Sequence, residues 1–264
     1  GGTVKSDLIA VVAAYKAWAS FSKEKERRHF ASHNALDHNA LREISGLRSQ
    51  FKGYLVDAGF ISQKPPSQLQ SRLKLVSDDA ILTSCCLVAG LYPNIATLLR
   101  PAKGRGNAKG GRLMTKDGDV CRPSSNSFQV ERIRNAAEKG KDAYAVFHAK
   151  HRTVSAQQQG GSIQRNESFL SEVNFVSRYA LLLFGGDVDV CDNAIVLDGW
   201  LKFKVGDKGQ TGAILIQELR KELDIVMTKH IMAEETEGEN GDIGVIEKEC
   251  IDVMEVVRTL LLDE

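Results

Sequence analysis

The hydrophobic positions in the first third of the chain follow the spacing of amphipathic helices. Between Asp37 and Gly59 they recur every three or four residues, which predicts one helix that ends near Gly59. Two further helical runs flank it, one over 6–18 and an apolar one that ends before Pro93. Residues 6 to about 98 are therefore predicted to be helical.

After Pro101 the pattern changes to short β-type runs between turn signals. The runs are "GRLMT", "DVCR", "AYAVFHA", "ESFLSEVNF" and "AIVLDGWLKFK". The stretch "KDGD" predicts a hairpin between the first two runs. A short helix, "RYALLLFGG", interrupts the strands, and helical spacing returns over 211–231 and 245–262. Five short strands with one inserted helix are typical of a small barrel.

Composition narrows the class of protein. The chain has 264 residues, is 42% hydrophobic and carries a net charge of +1, which fits a globular protein of one or two domains. The apolar runs are too short to cross a bilayer, and no cleavable signal is visible at the amino end. Five cysteines without a CxxC pair argue against a disulfide scaffold or thiolate zinc site and favour a reducing compartment. We therefore expect an intracellular protein without membrane contact.

The near-zero net charge conceals two blocks of opposite sign. Residues 100–122 carry seven basic and two acidic side chains, a local charge of +5. Residues 233–264 carry eleven acidic and two basic side chains, a local charge of −9. The basic block suits a polyanion such as nucleic acid, and the acidic block is typical of a solvated tail. Basic patches are also common as plain solvated surface, so the pattern alone leaves both interpretations open.

Six stretches occur in one order: "SDLIAVVAAYKAW", "LRSQFKGYLVDAGF", "AGLYPNIA", "CRPSSNSF", "YALLLFGG" and "DGWLKFK". Together they resemble the carboxy-terminal half of DEAH/RHA-type RNA helicases, most closely the branch of RNA helicase A, maleless and the G-quadruplex-resolving enzymes. The resemblance implies an α+β protein with a ratchet-like helicase-associated helical domain, an OB-like five-stranded β-barrel and carboxy-terminal helices with an acidic tail. We place these three parts at residues 3–98, 99–206 and 207–264.

The family's ATP site lies in two RecA-like domains ahead of the matching region. This chain has no G-x-x-x-x-G-K-[ST] motif, no DExH box and no assignable arginine finger. We therefore expect no catalytic residue, metal or cofactor in this chain, with ATP and Mg²⁺ bound only in a longer parent helicase. The expected partners are single-stranded RNA, the parent's RecA-like and winged-helix domains in cis, and a protein cofactor as a further candidate.

Three segments are candidate RNA contacts. "CRPSSNSF" matches a family hairpin at the mouth of the RNA tunnel, with Arg122 in place of the usual His and with small polar groups after it. "HAKHRT" matches a basic turn on the same side, and the glycine-rich loop after Pro101 can track a phosphate backbone. The predicted RNA-binding residues are Arg122, Ser124, Ser125, Asn126, Lys150, His151, Arg152, Thr153, Lys103, Arg105 and Lys109.

Each candidate also has a simpler interpretation. The three segments could be a self-capped Pro-Ser turn, a charged hairpin tip and a mobile linker. His29 and His33 have metal-pair spacing but lack an evident third ligand, and "DVDVCDN" lacks the glycine and closing glutamate of a calcium loop and is predicted to be a loop. For the whole chain, the alternative is a protein-interaction module that docks the helicase core or a cofactor protein and has little RNA affinity of its own.

Overall fold

The computed structural model describes residues 6–58, 80–99, 111–153, 167–191, 194–205, 209–233 and 242–262. These residues fall into two units. The first is drawn from Gly1–Leu8, Asp79–Lys221 and Val256–Glu264, and the second from Ile9–Asp78 and Glu222–Glu255.

Eight helices are described, and most follow the predicted periodicity. The predicted helices over 211–231 and 245–262 are confirmed as Gly209–Ala233 and Asp242–Leu262, and the predicted short helix is Arg178–Phe184. Among the described helices, none is both long and apolar enough to cross a bilayer. In chain order, α1 to α8 are Asp7–Ala19, Glu24–His33, His38–Asp57, Ala80–Leu91, Val130–Glu138, Arg178–Phe184, Gly209–Ala233 and Asp242–Leu262.

A small aromatic core stabilises the helices of the second unit. Trp18 is 1% exposed and packs in a cluster with Tyr15, Ala31 and Leu41. Its indole N–H donates to Nδ1 of His38 at 3.2 Å, so the one polar atom of this buried ring has a partner. The cluster joins α1, α2 and the start of α3 around one side chain.

The helix predicted from Asp37 onward is confirmed as α3. The Asp37 carboxylate caps it by accepting the N–H of Asn39 at 2.8 Å. The burial of its apolar side chains differs from the usual amphipathic pattern, because only Leu41 is buried. The exposed members of the stripe are Ile44, Leu47, Phe51 and Leu55.

Ten described strands form two sheets in the first unit. Seven form a curled sheet in the order β5-β6-β3-β2-β1-β4-β7, and three form a sheet in the order β10-β9-β8. The pairing of β3 with β6 is parallel, and the other described pairings are antiparallel. The predicted α+β class with an OB-like barrel is confirmed, but the described curled sheet has seven strands and not the predicted five. In chain order, β1 to β10 are Ile95–Leu99, Arg112–Thr115, Val120–Pro123, Tyr144–Val146, Ala149–Thr153, Glu167–Ser171, Asn174–Val176, Val188–Cys191, Ala194–Leu197 and Leu201–Lys204.

All five predicted strand stretches are found, and three of them divide into two strands each. The run "AYAVFHA" changes partner at its centre, because Phe147 N–H donates to the Asn94 carbonyl and His148 N–H to that of Ser171, both at 3.1 Å. The run "ESFLSEVNF" breaks at Glu172, whose φ is 51°. Breaks of this kind let short strands turn and close around one core. The alternation of apolar and polar residues in the sequence did not predict where these runs divide.

Two local predictions were wrong, and one helix was not predicted. Ile95–Leu99, predicted as the end of a helical region, is strand β1, because it pairs with both β2 and β4. Val188–Cys191, predicted as a loop, is strand β8 beside β9. Val130–Glu138 forms α5, which the sequence reasoning missed, and its Ile133 is fully buried in the core of the large sheet.

A partly buried hydrogen bond joins the end of α4 to the turn between β9 and β10. The Tyr92 hydroxyl donates to Oδ2 of Asp198, and Asp198 Oδ1 accepts the N–H of Asp187 at 2.9 Å. The Asp198 side chain is 6% exposed, and the ammonium of Lys116 lies 3.6 Å from it. The hydrogen bond to Asp198 raises the pKa of Tyr92 to about 12, and burial of the ring adds to the shift.

This shift predicts a loss of stability at alkaline pH that depends on Tyr92. Below pH 10 the phenol is protonated in both states; between pH 10 and about 12 it ionises only in the unfolded chain. The stability advantage over Tyr92→Phe should therefore be complete below pH 10 and decline by about 1 kcal/mol per pH unit through this window. Urea unfolding of both proteins at pH 9 and pH 11 measures it. An advantage that is unchanged at pH 11 would contradict the prediction.

Candidate nucleic-acid interface

Three neighbouring strands bring an arginine, a phenylalanine and a histidine into one row. Arg122 on β3 stands opposite Phe169 on β6, and Phe169 stands opposite His151 on β5. Directly paired residues of adjacent strands project from the same face of a sheet. Their chain neighbours Cys121 and Leu170 are fully buried on the core face, so this row lies on the outer face. We refer to Arg122, Phe169 and His151 as the outer row.

The outer row is only weakly tied to neighbouring side chains. Arg122 Nη2 lies 3.4 Å from Oε1 of Glu167, with both side chains about 40% exposed. His151 is exposed, and its Nε2 lies 3.3 Å from Oγ of Ser171. Exposed contacts of this kind are worth little and exchange readily for a ligand. The outer row therefore presents one cation, one half-buried aromatic ring and one imidazole to solvent.

A turn with small polar side chains follows β3 beside the outer row. The N–H of Ser124 donates to the Leu170 carbonyl at 2.8 Å, and that of Ser127 donates to the Ser124 carbonyl at 3.0 Å. Ser125 and Asn126 are exposed at the tip. The turn is thus fixed through its backbone, which leaves its hydroxyl and amide groups on the surface.

The residue after this turn, Phe128, is 69% exposed. Its N–H donates to Oδ1 of Asp7 at 3.0 Å, and the next residue, Gln129, is fully buried. Apolar side chains of this size are usually buried. The exposed ring of Phe128, on a backbone held by hydrogen bonds, is therefore available to contact a partner.

The cations of β5 beside His151 belong to the opposite face. Lys150 Nζ lies 2.9 Å from Oδ2 of Asp119 and 3.1 Å from Oδ2 of Asp117, and Arg152 Nη2 lies 3.0 Å from Oδ2 of Asp119. We refer to these four side chains as the ion-pair cluster. The hydrogen bond from Lys150, with a second from Arg152, lowers the pKa of Asp119, and the bond to Asp119 raises the pKa of Lys150.

The sheet thus brings together the described candidates but divides them between its two faces. Arg122 and His151 are on the outer face with Thr153, whose hydroxyl donates to the Glu167 carbonyl at 3.0 Å. Lys150 and Arg152 are on the other face at the β5 edge and already hold carboxylates. Lys103, Arg105 and Lys109 lie outside the described residues.

Sequence reasoning missed Phe169 and Phe128 as candidates. Phe169 could have been found from the alternation of its strand. Leu170 is buried, so the side chain of its neighbour Phe169 points to the face away from the core. For Phe128 no such signal existed, because only its tertiary surroundings decide its exposure.

The paired histidines of α2 form no recognisable metal centre. The rings of His29 and His33 stack with their centroids 6.3 Å apart. Within the residues that the structure covers, no group of three or more His, Cys, Asp or Glu side chains is placed to hold a metal ion.

No protein-family model matches the chain. The chain is 31% identical over 237 residues to the ATP-dependent DNA/RNA helicase DHX36 of Bos taurus, an alignment that covers 86% of this chain and 21% of that protein. It is 28% identical over 231 residues to the DExH-box ATP-dependent RNA helicase DExH1 of Arabidopsis thaliana, covering 86% and 20%. It is also 28% identical over 251 residues to the putative ATP-dependent RNA helicase DHX57 of Mus musculus, covering 86% and 17%.

The chain therefore spans about a fifth of the length of the curated relatives that it matches. The matches are to ATP-dependent helicases, and they extend over most of this sequence. The resemblance predicted from the six sequence stretches is thereby confirmed: the chain is a relative of the DEAH/RHA-type RNA helicases and corresponds to their carboxy-terminal region.

Proposed function

We propose that this helicase accessory region binds single-stranded RNA across the outer row of its barrel. The observation that supports this most directly is the strand register, which aligns Arg122, Phe169 and His151 on the face away from the core. Proteins that bind unpaired strands combine aromatic rings that stack on bases with cations that contact phosphates. The outer row contains both kinds of group on three adjacent strands.

The chemistry of each group suggests its contact. The phenyl ring of Phe169 and the imidazole of His151 can each stack on a base, and every base offers such a surface. The guanidinium of Arg122 can pair with a phosphate once it exchanges the exposed carboxylate of Glu167. Ser125 and Asn126 add hydrogen-bonding groups for sugar or phosphate. Such a surface is largely tolerant of sequence.

In the longer parent, this region would form one wall of the channel through which the RNA passes. RecA-like domains that bind ATP and Mg²⁺ would supply the movement, and a winged-helix domain would adjoin the region in cis. These parts would lie in a longer parent, since this chain matches only 21% of the length of its DHX36 relative. The proposed task of this chain is to hold the strand, without an ATPase site of its own.

Two substitutions test the outer row in the intact chain. Phe169→Leu keeps an apolar side chain but removes the ring, and it should weaken binding of a uridine 12-mer by about 1–3 kcal/mol. Arg122→Ala should make the plot of log K against log salt shallower by about 0.7, the contribution of one cation on a single strand. Fluorescence anisotropy across a salt series measures both effects.

The matched control is Arg134→Ala, which removes an exposed arginine paired with Glu131 on α5. It lowers the net charge as Arg122→Ala does but lies off the outer row, so its binding should stay close to wild type. Wild-type protein that binds no oligonucleotide at low salt, or control and test variants with equal losses, would contradict the proposal.

A groove in the first unit supports the alternative of a protein-interaction module. It is bordered by α6, β10 and the described ends of α7 and α8, and Leu215 on its rim is 63% exposed. Exposed apolar surface of this kind is typical of docking sites for proteins. A folded protein without RNA affinity in the titration above would favour docking of the helicase core or a cofactor protein. The main apolar lining residues are Leu182, Ile195, Phe203, Ile216, Leu219 and Leu260.

A further inference from the structure

We propose that the ion-pair cluster is a phosphate-binding site in which the protein's own carboxylates occupy the position of the phosphate. Lys150 and Arg152 would be the phosphate ligands, and Asp119 with Asp117 would compete with the RNA backbone for them. This inference rests on the proposed function, because it adds a regulating contact to the same RNA-binding region. The family resemblance already predicts Lys150 and Arg152 as RNA contacts, and the structure adds the competition by Asp119 and Asp117.

The geometry is that of an oxyanion held by two cations. A single oxygen, Oδ2 of Asp119, lies 2.9 Å from the Lys150 ammonium and 3.0 Å from the Arg152 guanidinium. A phosphate oxygen takes the same position between two such donors. Asp117 completes the arrangement at 3.1 Å from Lys150. The four side chains carry two positive and two negative charges, so the cluster is neutral overall.

The competing carboxylates are held in place by the hairpin between β2 and β3. Gly118 N–H donates to the Thr115 carbonyl at 2.9 Å, and Thr115 N–H donates to the Asp119 carbonyl at 3.1 Å. Gly118 has a φ of 79°, a left-handed conformation that glycine adopts without strain. The turn therefore presents Asp117 and Asp119 to β5 as a fixed pair.

The position of β5 makes the cluster reachable from the outer row. β5 is the terminal strand in the sheet order, so its far edge carries no strand within the described residues. His151 projects from one face of this strand, and its neighbours Lys150 and Arg152 project from the other. A ribose-phosphate backbone that follows the open edge passes both faces, and a phosphate beside His151 comes within reach of the longer cationic side chains.

With the carboxylates present, a phosphate gains little binding free energy at the ion-pair cluster. An arriving phosphate must displace a carboxylate of equal sign, and the carboxylate then remains beside it. The Asp119 side chain is 29% exposed and that of Asp117 is 74% exposed, so both still reach water. Ion pairs near the surface contribute little to stability, so replacing one of these carboxylates by an amide should leave the fold intact while it frees positive charge. The structure thus predicts a gain of affinity from losing an acidic residue, whereas damage to the binding surface would lower the affinity.

The experiment compares Asp119→Asn and the double variant Asp117→Asn/Asp119→Asn with wild type, using the intact chain and a fluorescent uridine 12-mer. Asp119→Asn should bind roughly three- to tenfold more tightly at low salt. The plot of log K against log salt should become steeper by about 0.7 for each freed cation. The double variant should show at least the gain of the single one.

The matched control is Asp189→Asn, which removes the same charge from an exposed position on β8 in the other sheet. It should bind RNA as the wild type does. Adding Lys150→Ala and Arg152→Ala to Asp119→Asn should abolish the gain. Equal gains from Asp189→Asn would show an effect of net charge alone and would overturn the inference.

Two outcomes separate this inference from the proposed function. Wild-type binding that Asp119→Asn leaves unchanged or weakens would overturn the phosphate site and retain RNA binding by the outer row. Absence of binding by wild type and all variants would overturn both.

Discussion

Replacing Asp7 with Ala is expected to lower the free energy of unfolding by about 3–5 kcal/mol, because three buried or partly buried N–H donors lose their acceptor at about 1–3 kcal/mol each. Asp7 is 7% exposed. Its Oδ1 accepts the N–H of Phe128 at 3.0 Å and Nε2 of Gln129 at 3.4 Å, and its Oδ2 accepts the N–H of Val173 at 3.0 Å. Alanine removes the acceptor for all three donors, and buried donors that lose their acceptor pay the full cost of desolvation.

The same network fixes the end of the Ser124–Ser127 turn, because the N–H that follows the turn binds Asp7. The alanine variant should therefore also loosen the exposed Phe128 ring. Chemical denaturation by urea, followed by far-ultraviolet circular dichroism, measures the stability loss. Hydrogen exchange at the Phe128 and Val173 amides measures the local loosening around the turn.

Asp7→Asn is the informative companion variant. It keeps one carbonyl oxygen of nearly the same size but replaces the second acceptor by a donor, so a smaller loss than that of Asp7→Ala is expected. Equal losses would show that charge, and not the number of acceptors, decides the effect. Loss of less than about 1 kcal/mol in Asp7→Ala would mean that water replaces the carboxylate and would contradict the prediction.

Gly186→Ala is expected to lower the free energy of unfolding by about 2–4 kcal/mol, because it overpacks a contact and breaks a partly buried hydrogen bond. A Cβ at this position would overlap both Asp198 Oδ1 and the Tyr92 hydroxyl. Since these two groups hold each other, neither can move without breaking the bond between α4 and the β9–β10 turn. Thermal and urea unfolding should both show the loss.

Gly90→Ala provides the control. Gly90 lies in α4, and a Cβ there would meet no atom within 4 Å beyond the neighbouring backbone of its own helix. Alanine favours a helix over glycine by about 1 kcal/mol, so this variant should be as stable as wild type or slightly more so. A Gly186→Ala protein as stable as the Gly90→Ala protein would show that the Tyr92–Asp198 contact gives way freely.

Local chemistry in the sequence was sufficient to predict many elements. "KDGD" forms the predicted hairpin because its glycine supplies the positive φ that the turn needs. The helices predicted from periodicity are found as α3 and α7, because the hydrogen bonds of a helix form within one segment of the chain. Ile95–Leu99 was mistaken for helix because strand pairing with β2 and β4 involves residues far along the chain, which no local pattern encodes.

The candidate site was predictable in its residue types but not in its arrangement. The sequence identifies Arg122 and His151 as polar surface residues beside β-type runs. It cannot show that Phe169 lies between them, because this requires the parallel register of β3 with β6. Nor does it show that Lys150 meets Asp119, which is 31 residues earlier in the chain. The sequence-based prediction treated that lysine as available for RNA, whereas the fold pairs it with two carboxylates.

The bridge between Ser6 and Asn174 has a consequence for biosynthesis. The Ser6 hydroxyl donates to Oδ1 of Asn174 at 2.6 Å, a contact across 168 residues of sequence. Closing such long separations slows folding, because chain entropy is lost before the contact forms. During translation, the amino-terminal helix must therefore wait for most of the barrel to leave the ribosome before its first turn can dock.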